Sequence, residues 1–333
     1  MYLEFYGLAE KPFNMTPDPR FLFLTEGHRE ALAQLLYAVR ERRGFMVLTG
    51  EAGTGKTTLL QTLLRRLDGD TAVAYVNNTA LTFDEIVEYA LADLGVEVAG
   101  SSRARRLLAL NRFLIERVRA GQNTVLVIDE AHNLDAGTLE QVRLLSNFES
   151  PTDKLLQILL VGQPELRARL ARPDLRQLKQ RIALRCHLPA LSAGQTRDYI
   201  RTRLSVAGAP DRRLFSDVAV ERIAAASGGI PRLVNAICDH CLLIGYSEQT
   251  RQIDERITRR AVAYLDDDAT PERESTAPSR RPRLAWAAGA AVATGVALAV
   301  ALASGVSDID TVVTSAAAHV HALADSALLL LRK

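Results

Sequence analysis

The residues Gly50-Glu51-Ala52-Gly53-Thr54-Gly55-Lys56-Thr57 fit the spacing G-x-x-x-x-G-K-[ST], and the chemistry this spacing suits is holding a polyphosphate. Glycines let the backbone turn until several N–H groups converge on phosphate oxygens at the N-terminus of the next helix. Lys56 is then expected to reach the β and γ phosphates of ATP, and Thr57 to bind Mg2+ through its hydroxyl, with Thr58 closing the cradle. Downstream, Asp129-Glu130 supplies two adjacent carboxylates. Asp129 is expected to hold Mg2+ through water, and Glu130 to orient and polarise an attacking water, which favours hydrolysis over transfer to an organic acceptor. Gln163 has two readings: it touches the γ-phosphate or the lytic water, or it only opens a helix.

These residues need elements that bring them to one place. Phe45–Thr49 is an apolar run of strand length before the glycine loop, and Thr58–Leu64 continues after it as a helix. Thr124–Ile128 is a run of apolar or β-branched residues, as expected of a strand buried on both faces, and it ends at Asp129-Glu130. A third run, Leu155–Val161, ends just before Gln163. An open α/β sheet places its ligands at the carboxyl ends of such strands. The fold class expected is therefore α/β: a P-loop parallel sheet flanked by helices over residues 25–190. An arginine-dense stretch (Arg167, Arg169, Arg172, Arg176, Arg181, Arg185) follows, and within it Arg181 closes a helix just before a short strand at Ile182–Leu188.

From Ser192 the pattern turns helical. Ser192 and Gln195 can form a capping box, Gly228-Gly229 breaks the chain, Pro231 opens a helix, and Asp254 can cap another. A small all-helical lid over 191–265 is expected. At the other end, residues 1–24 are expected to be extended because of Pro12, Pro17 and Pro19. Six aromatic residues (Tyr2, Phe5, Tyr6, Phe13, Phe21, Phe23) fall in the first 23 positions, and they either flank an adenine or merely fasten the segment down. Cys238 and Cys241 form a lone CxxC, which lacks the four ligands of a structural zinc site.

The chain has 333 residues, 48% hydrophobic and 24% charged, which excludes disordered and disulfide-scaffold classes and suggests two or more units at roughly 150 residues per domain. A net charge of +2 offers no global field for nucleic acid. Three cysteines fit a reducing compartment, and the opening residues lack a signal-peptide pattern. Residues 266–283 read as a polar linker, and 284–303 as an uncharged span of about 30 Å, enough to cross a bilayer as one transmembrane helix. Arg280, Arg281 and Arg283 precede this span, and Asp308 and Asp310 follow it, so the positive-inside rule keeps the N-terminal bulk cytoplasmic and leaves 304–333 as a short periplasmic tail.

The strings GEAGTGKT, VLVIDEAH, LLVGQPEL, LKQRI and GGIPRLVN, in that order, resemble an AAA+ ATPase. The opening FYGLAEKPFNMTPDPRFLFLTEGHREAL is similar to the general secretion pathway protein A type, a group that includes secretion ATPases of exosortase/PEP-CTERM exopolysaccharide loci. The resemblance covers about residues 1–265. It implies Arg181 as an arginine finger toward a neighbouring subunit, Arg232 as the lid arginine on the phosphates, and Gln163 at a sensor position where many relatives carry asparagine. It further implies self-assembly into a ring or filament, attachment to the bacterial inner membrane, and partners in envelope secretion or exopolysaccharide export. Secretion-pathway relatives often carry a periplasmic peptidoglycan-binding domain, and a tail of residues 304–333 leaves no room for one, which favours the exopolysaccharide subgroup. Nucleic acid is not an expected partner. The alternative is a DNA-binding AAA+ regulator akin to transposition helper ATPases, with Arg103, Arg105, Arg106, Arg251, Arg256, Arg259 and Arg260 on phosphates.

Overall fold

The computed structural model describes residues 1–269 apart from 17, 78–80, 99, 101, 150–152 and 212. The remainder of the expected linker, the expected transmembrane span 284–303 and the tail 304–333 lie outside the described residues. Among the described residues, no helix is long and apolar enough to cross a membrane.

The chain runs α1 (Tyr2–Tyr6), α2 (Glu26–Arg40), β1 (Phe45–Gly50), α3 (Lys56–Arg66), β2 (Thr71–Val76), α4 (Phe83–Asp93), α5 (Arg103–Arg119) and β3 (Asn123–Ile128). It continues through α6 (Ala136–Leu145), β4 (Gln157–Gly162), α7 (Pro164–Leu170), α8 (Arg176–Arg181) and β5 (Ile182–Leu188). Helices α9 (Ala193–Val206), α10 (Asp217–Ser227), α11 (Pro231–Ser247) and α12 (Glu255–Ala269) complete it. The strands form one sheet in the order β2-β3-β4-β1-β5, and every pairing is parallel. Parallel strands need crossover helices, and these cover both faces of the sheet.

Successive residues of a strand point to opposite faces, and the core divides accordingly. Phe45, Val47, Leu126, Ile128, Ile158 and Leu160 pack in one layer with residues of α4, α5 and α6. Met46, Leu48, Val125, Val127, Leu159 and Val161 pack in the other with residues of α2 and α3. The expected strands are present, with ends shifted by a residue or two. Strand β2, not among the expected strands, carries the apolar run Ala72–Val76 with no motif at its end; at the sheet edge, Thr71, Ala72 and Val73 are only half-buried.

Helices α9 to α12 enclose a separate core. Its caps follow the sequence pattern: Ser192 and Gln195 form the capping box, Pro231 starts α11, and Asp254 accepts the Ile257 N–H at 2.9 Å. Gly228 and Gly229 both take positive φ, and a Cβ on Gly229 would overlap the Leu191 carbonyl oxygen at 1.9 Å.

Two expected boundaries are corrected. Residues 1–24 are not uniformly extended: α1 forms, and Pro19–Phe21 makes a 3-10 turn. Tyr2 and Tyr6, four residues apart on α1, are buried against α11, where their hydroxyls donate to Asp239 (2.7 Å) and to the carbonyls of Leu242 and Thr250 (3.3 and 3.2 Å). That anchoring stabilises a helix too short to persist alone. The last helix, α12, passes the expected end of the lid and continues to Ala269, because extending a formed helix costs far less than nucleating one.

Candidate nucleotide site

Strand β1 ends at Gly50, and the loop to α3 turns through Gly53 (φ +84) and Gly55 (φ +98), a region that L side chains resist. Thr54 braces the turn by donating from its hydroxyl to the Glu51 carbonyl at 2.8 Å. Lys56 is the first residue of α3, and its Nζ donates to the carbonyls of Gly50 (2.8 Å) and Glu51 (3.0 Å). Only 6% of Lys56 is exposed. Burial pushes its ammonium below the usual lysine range, and the carboxylates of Glu130 and Asp129 oppose that shift. A buried cation with weakened solvation gains most from an anionic ligand.

Because all strands run parallel, the tips of β1 and β3 lie on the same edge of the sheet, with β4 between them. Asp129 follows β3 and is 5% exposed; its Oδ1 accepts the Glu130 N–H at 2.9 Å, and its Oδ2 accepts the Tyr75 hydroxyl at 2.9 Å. Burial, then the bond to Asp129, raises the Tyr75 phenol well above its usual value, so it stays a donor. Glu130 takes a left-handed backbone (φ +52), uncommon for a non-glycine residue, and its side chain is 43% exposed.

A cleft of about 440 Å3 runs from the glycine loop to the lid, and it is lined by Lys56, Thr57, Thr58, Glu130 and Arg232 among others. Arg232 enters from the start of α11. A Cβ on Gly53 would stand 2.6 Å from the Arg232 Cβ, so only glycine lets the lid close this near to the loop. The far end of the cleft is walled by Asn14, Met15, Phe21 and Phe23 of the N-terminal segment, facing Leu191, Tyr199 and Arg203.

Three site residues carried no sequence motif. His28, 5% exposed, places Nδ1 2.6 Å from the Thr25 hydroxyl and Nε2 3.2 Å from the Thr54 carbonyl of the glycine loop. Burial lowers its pKa below the ordinary 6.5, and the Thr54 bond opposes this. Arg203 donates to the carbonyls of Pro12 and Asn14 (the latter at 3.3 Å) and to the Tyr199 hydroxyl at 2.8 Å, and it stacks 4.7 Å over the Phe21 ring. Tyr75 sits on the edge strand, two positions before the register partner of Asp129 would fall. The apolar run Ala72–Val76 was the one available signal for Tyr75; a lone His28 and a lone Arg203 gave none.

The remaining expected residues fall as follows. Gln163 caps the start of α7 without a side-chain cap bond, and its amide nitrogen meets His132 Nε2 at 3.1 Å rather than lining the cleft. Arg181 ends α8, exposed, with Nη1 3.4 Å from the Ser146 hydroxyl, and does not line this chain's own cleft. Cys238 and Cys241 are fully buried within α11; burial holds the Cys238 thiol well above its usual value and pushes Cys241 up to about 12, so neither offers a thiolate. No cluster of three or more metal-binding side chains occurs among the described residues. Of the basic clusters, Arg103 pairs with Asp84, Arg106 with Glu88, Arg256 and Arg260 with Glu248, and Arg259 with Glu255. Those guanidiniums are engaged within the chain rather than presented as an unneutralised patch.

A glycine cradle on a buried lysine, two carboxylates at the tip of β3 and a helical lid define a class. Residues 39–170 match the family of the AAA domain, and the chain is an ATP-hydrolysing P-loop NTPase with the AAA+ fold. It is similar to general secretion pathway protein A of Aeromonas hydrophila, 40% identical over 274 residues that make up 81% of this chain and 50% of that protein. The chain thus spans half or less of the length of the curated relatives it matches. Among solved structures, the ORC2 protein of Aeropyrum pernix in its ADPNP-ADP complexes superposes with a TM-score of 0.59 at 19% identity, covering 79% of this chain and 73% of that one. Cdc6p from Pyrobaculum aerophilum gives a TM-score of 0.57 at 21% identity, covering 74% of this chain and 70% of its own. At these identities, the likeness is one of fold.

Proposed function

We propose that this chain is a motor of an envelope secretion system, binding and hydrolysing ATP between the sheet and the lid and passing the resulting lid movement to export partners. The observation that supports it most is the single cleft joining Lys56, Thr57 and Glu130 to Arg232 of the lid. In this reading Gly50, Glu51, Ala52, Gly53, Thr54, Gly55 and Thr58 surround the phosphates by backbone, Lys56 neutralises the β and γ oxygens, and Arg232 contacts them from the lid. Glu130, the carboxylate open to the cleft, orients the attacking water and accepts its proton.

The donor set suits Mg2+, a hard cation that keeps water in its shell: Thr57 is exposed and lines the cleft, and Asp129 is held by Tyr75 and the Glu130 N–H with lone pairs to spare for such water. Bound there, Mg2+ would supply neutralising positive charge to the phosphates.

Arg181 lies outside its own cleft and serves as the finger for a neighbouring subunit, which makes assembly into a ring or filament part of the catalytic cycle. The similarity to a general secretion pathway protein supports the secretion setting. Residues 284–303 hold the assembly at the inner membrane with the ATPase on the cytoplasmic side, and export of an exopolysaccharide is the narrower reading.

Full-length protein in lipid vesicles should hydrolyse ATP, and Lys56→Ala should not. Mixing Arg181→Ala with Lys56→Ala, each inactive alone, should restore turnover, because one supplies intact cradles and the other intact fingers; no restoration would overturn the trans assignment. Glu130→Gln, expected to bind ATP without hydrolysing it, should retain envelope export proteins from solubilised membranes. Recovery of none beyond those found with Lys56→Ala would refute the secretion assignment.

A further inference from the structure

The carboxylate that faces the cleft is steadied from outside the cleft. Glu130 Oε2 lies 3.3 Å from Nδ1 of His132, which sits in the 3-10 turn Ala131–Asn133 with 13% of its side chain exposed. The opposite nitrogen of the same ring, Nε2, lies 3.1 Å from the side-chain amide nitrogen of Gln163, at the tip of β4. Gly162 makes this approach feasible: a Cβ there would stand 3.2 Å from the His132 backbone nitrogen and 3.0 Å from Leu166.

We propose that His132 is a positioning residue that couples Gln163 to Glu130. A neutral imidazole carries one proton, so the role of one nitrogen fixes the role of the other. With the Gln163 amide donating to Nε2, the proton sits on Nδ1, 3.3 Å from the Glu130 carboxylate and placed to turn toward it. The Gln163 backbone N–H donates to Nδ1 at 3.4 Å, a long bond that belongs to the opposite tautomer. A hydrogen bond to an ionised carboxylate is the stronger of the two and selects the first. Gln163 therefore acts on hydrolysis through His132 instead of by touching the nucleotide, and a shift of the β4 tip reaches the water-orienting carboxylate as a change in its hydrogen bond.

This coupling rests on Glu130 orienting the water, and the two ideas fail differently. Glu130→Gln with undiminished turnover would overturn the role of Glu130 and the coupling with it. The coupling itself is read from two isosteric changes in the full chain. In His132→Asn the amide nitrogen overlies Nδ1 and keeps a donor for Glu130; in His132→Gln it overlies Nε2 and does not. Nucleotide affinity, followed with a fluorescent ATP analogue, should hold in both. Turnover should fall about tenfold to a hundredfold in His132→Gln, a modest share of what an acid–base group contributes, and distinctly less in His132→Asn. Gln163→Met enters the same chain from its far end, independently of whether the histidine variants fold. It should lower kcat with KM unchanged, and combining it with His132→Gln should add almost nothing. Equal rates in the two His132 variants, additive losses in the double variant, or losses confined to KM would each overturn the coupling.

Discussion

The two ends of the cleft are built in opposite ways. At the phosphate end, Gly50 to Thr58 are contiguous, and apart from the His28 brace the bonds that shape them are short-range: Lys56 Nζ reaches carbonyls only five and six residues back. At the other end, the wall is assembled from segments far apart in sequence, and Arg203 bonds to a carbonyl 191 residues away, in the N-terminal segment. A contiguous loop is specified by its own glycines and helix start, so chemistry can be read from it directly. A wall made of distant segments exists only once both the sheet and the lid have formed, and its stability is a property of the lid core rather than of any motif.

The largest expected effect breaks the phosphate end: Lys56→Ala should reduce turnover by about a hundredfold to a thousandfold or more, the scale for removing a donor aimed at transition-state charge. The counterpart at the far end is Arg203→Ala. It strands the buried carbonyl of Pro12, loses the bond to Asn14 and removes the stack on Phe21, which should cost about 2–4 kcal/mol of stability and, by loosening the wall, weaken nucleotide binding. Calorimetry together with ATP titration would check it. If stability falls and affinity does not, the N-terminal segment fastens the lid without contacting the ligand.

A smaller effect is expected at Tyr75→Phe, which removes one hydrogen bond to Asp129 at a cost of about 1 kcal/mol, visible as a several-fold higher Mg2+ requirement for turnover. The subtlest concerns His28, whose imidazole pKa is lowered by burial below the ordinary 6.5. The unfolded chain then binds the proton more readily than the folded one, so the stability held above that ordinary value is lost as pH falls from there through the lowered folded value. Melting temperature should decline on acidification through this range, and His28→Gln, which keeps an amide within reach of the Thr54 carbonyl, should flatten that part of the profile.

Legibility followed the same division. The apolar runs before Lys56, Asp129 and Gln163 marked three central strands because a strand buried on both faces leaves a continuous signal. The edge strand β2 has a run of its own, Ala72–Val76, but no motif at its end, so Tyr75 and the hydrogen bond that steadies Asp129 stayed hidden. Residues 1–24 misled in another way: three prolines spoke for extension, whereas two tyrosines spaced to enter the lid produced a helical turn. The arginines of α5 and α12 offered as phosphate contacts instead include guanidiniums paired with Asp84, Glu88, Glu248 and Glu255.

Sequence by itself determined the glycine loop, the carboxylate pair and the helical caps, since each depends on neighbours within a few positions and on backbone preferences that act locally. Only tertiary structure decided that Arg232 presses against Gly53, that His28 braces the glycine loop, that Arg203 ties the N-terminal segment to the lid, and that His132 stands between Gln163 and Glu130. Those contacts join segments whose separation along the chain carries no spacing rule; they are fixed by packing, where one missing Cβ or one buried hydrogen bond selects the arrangement.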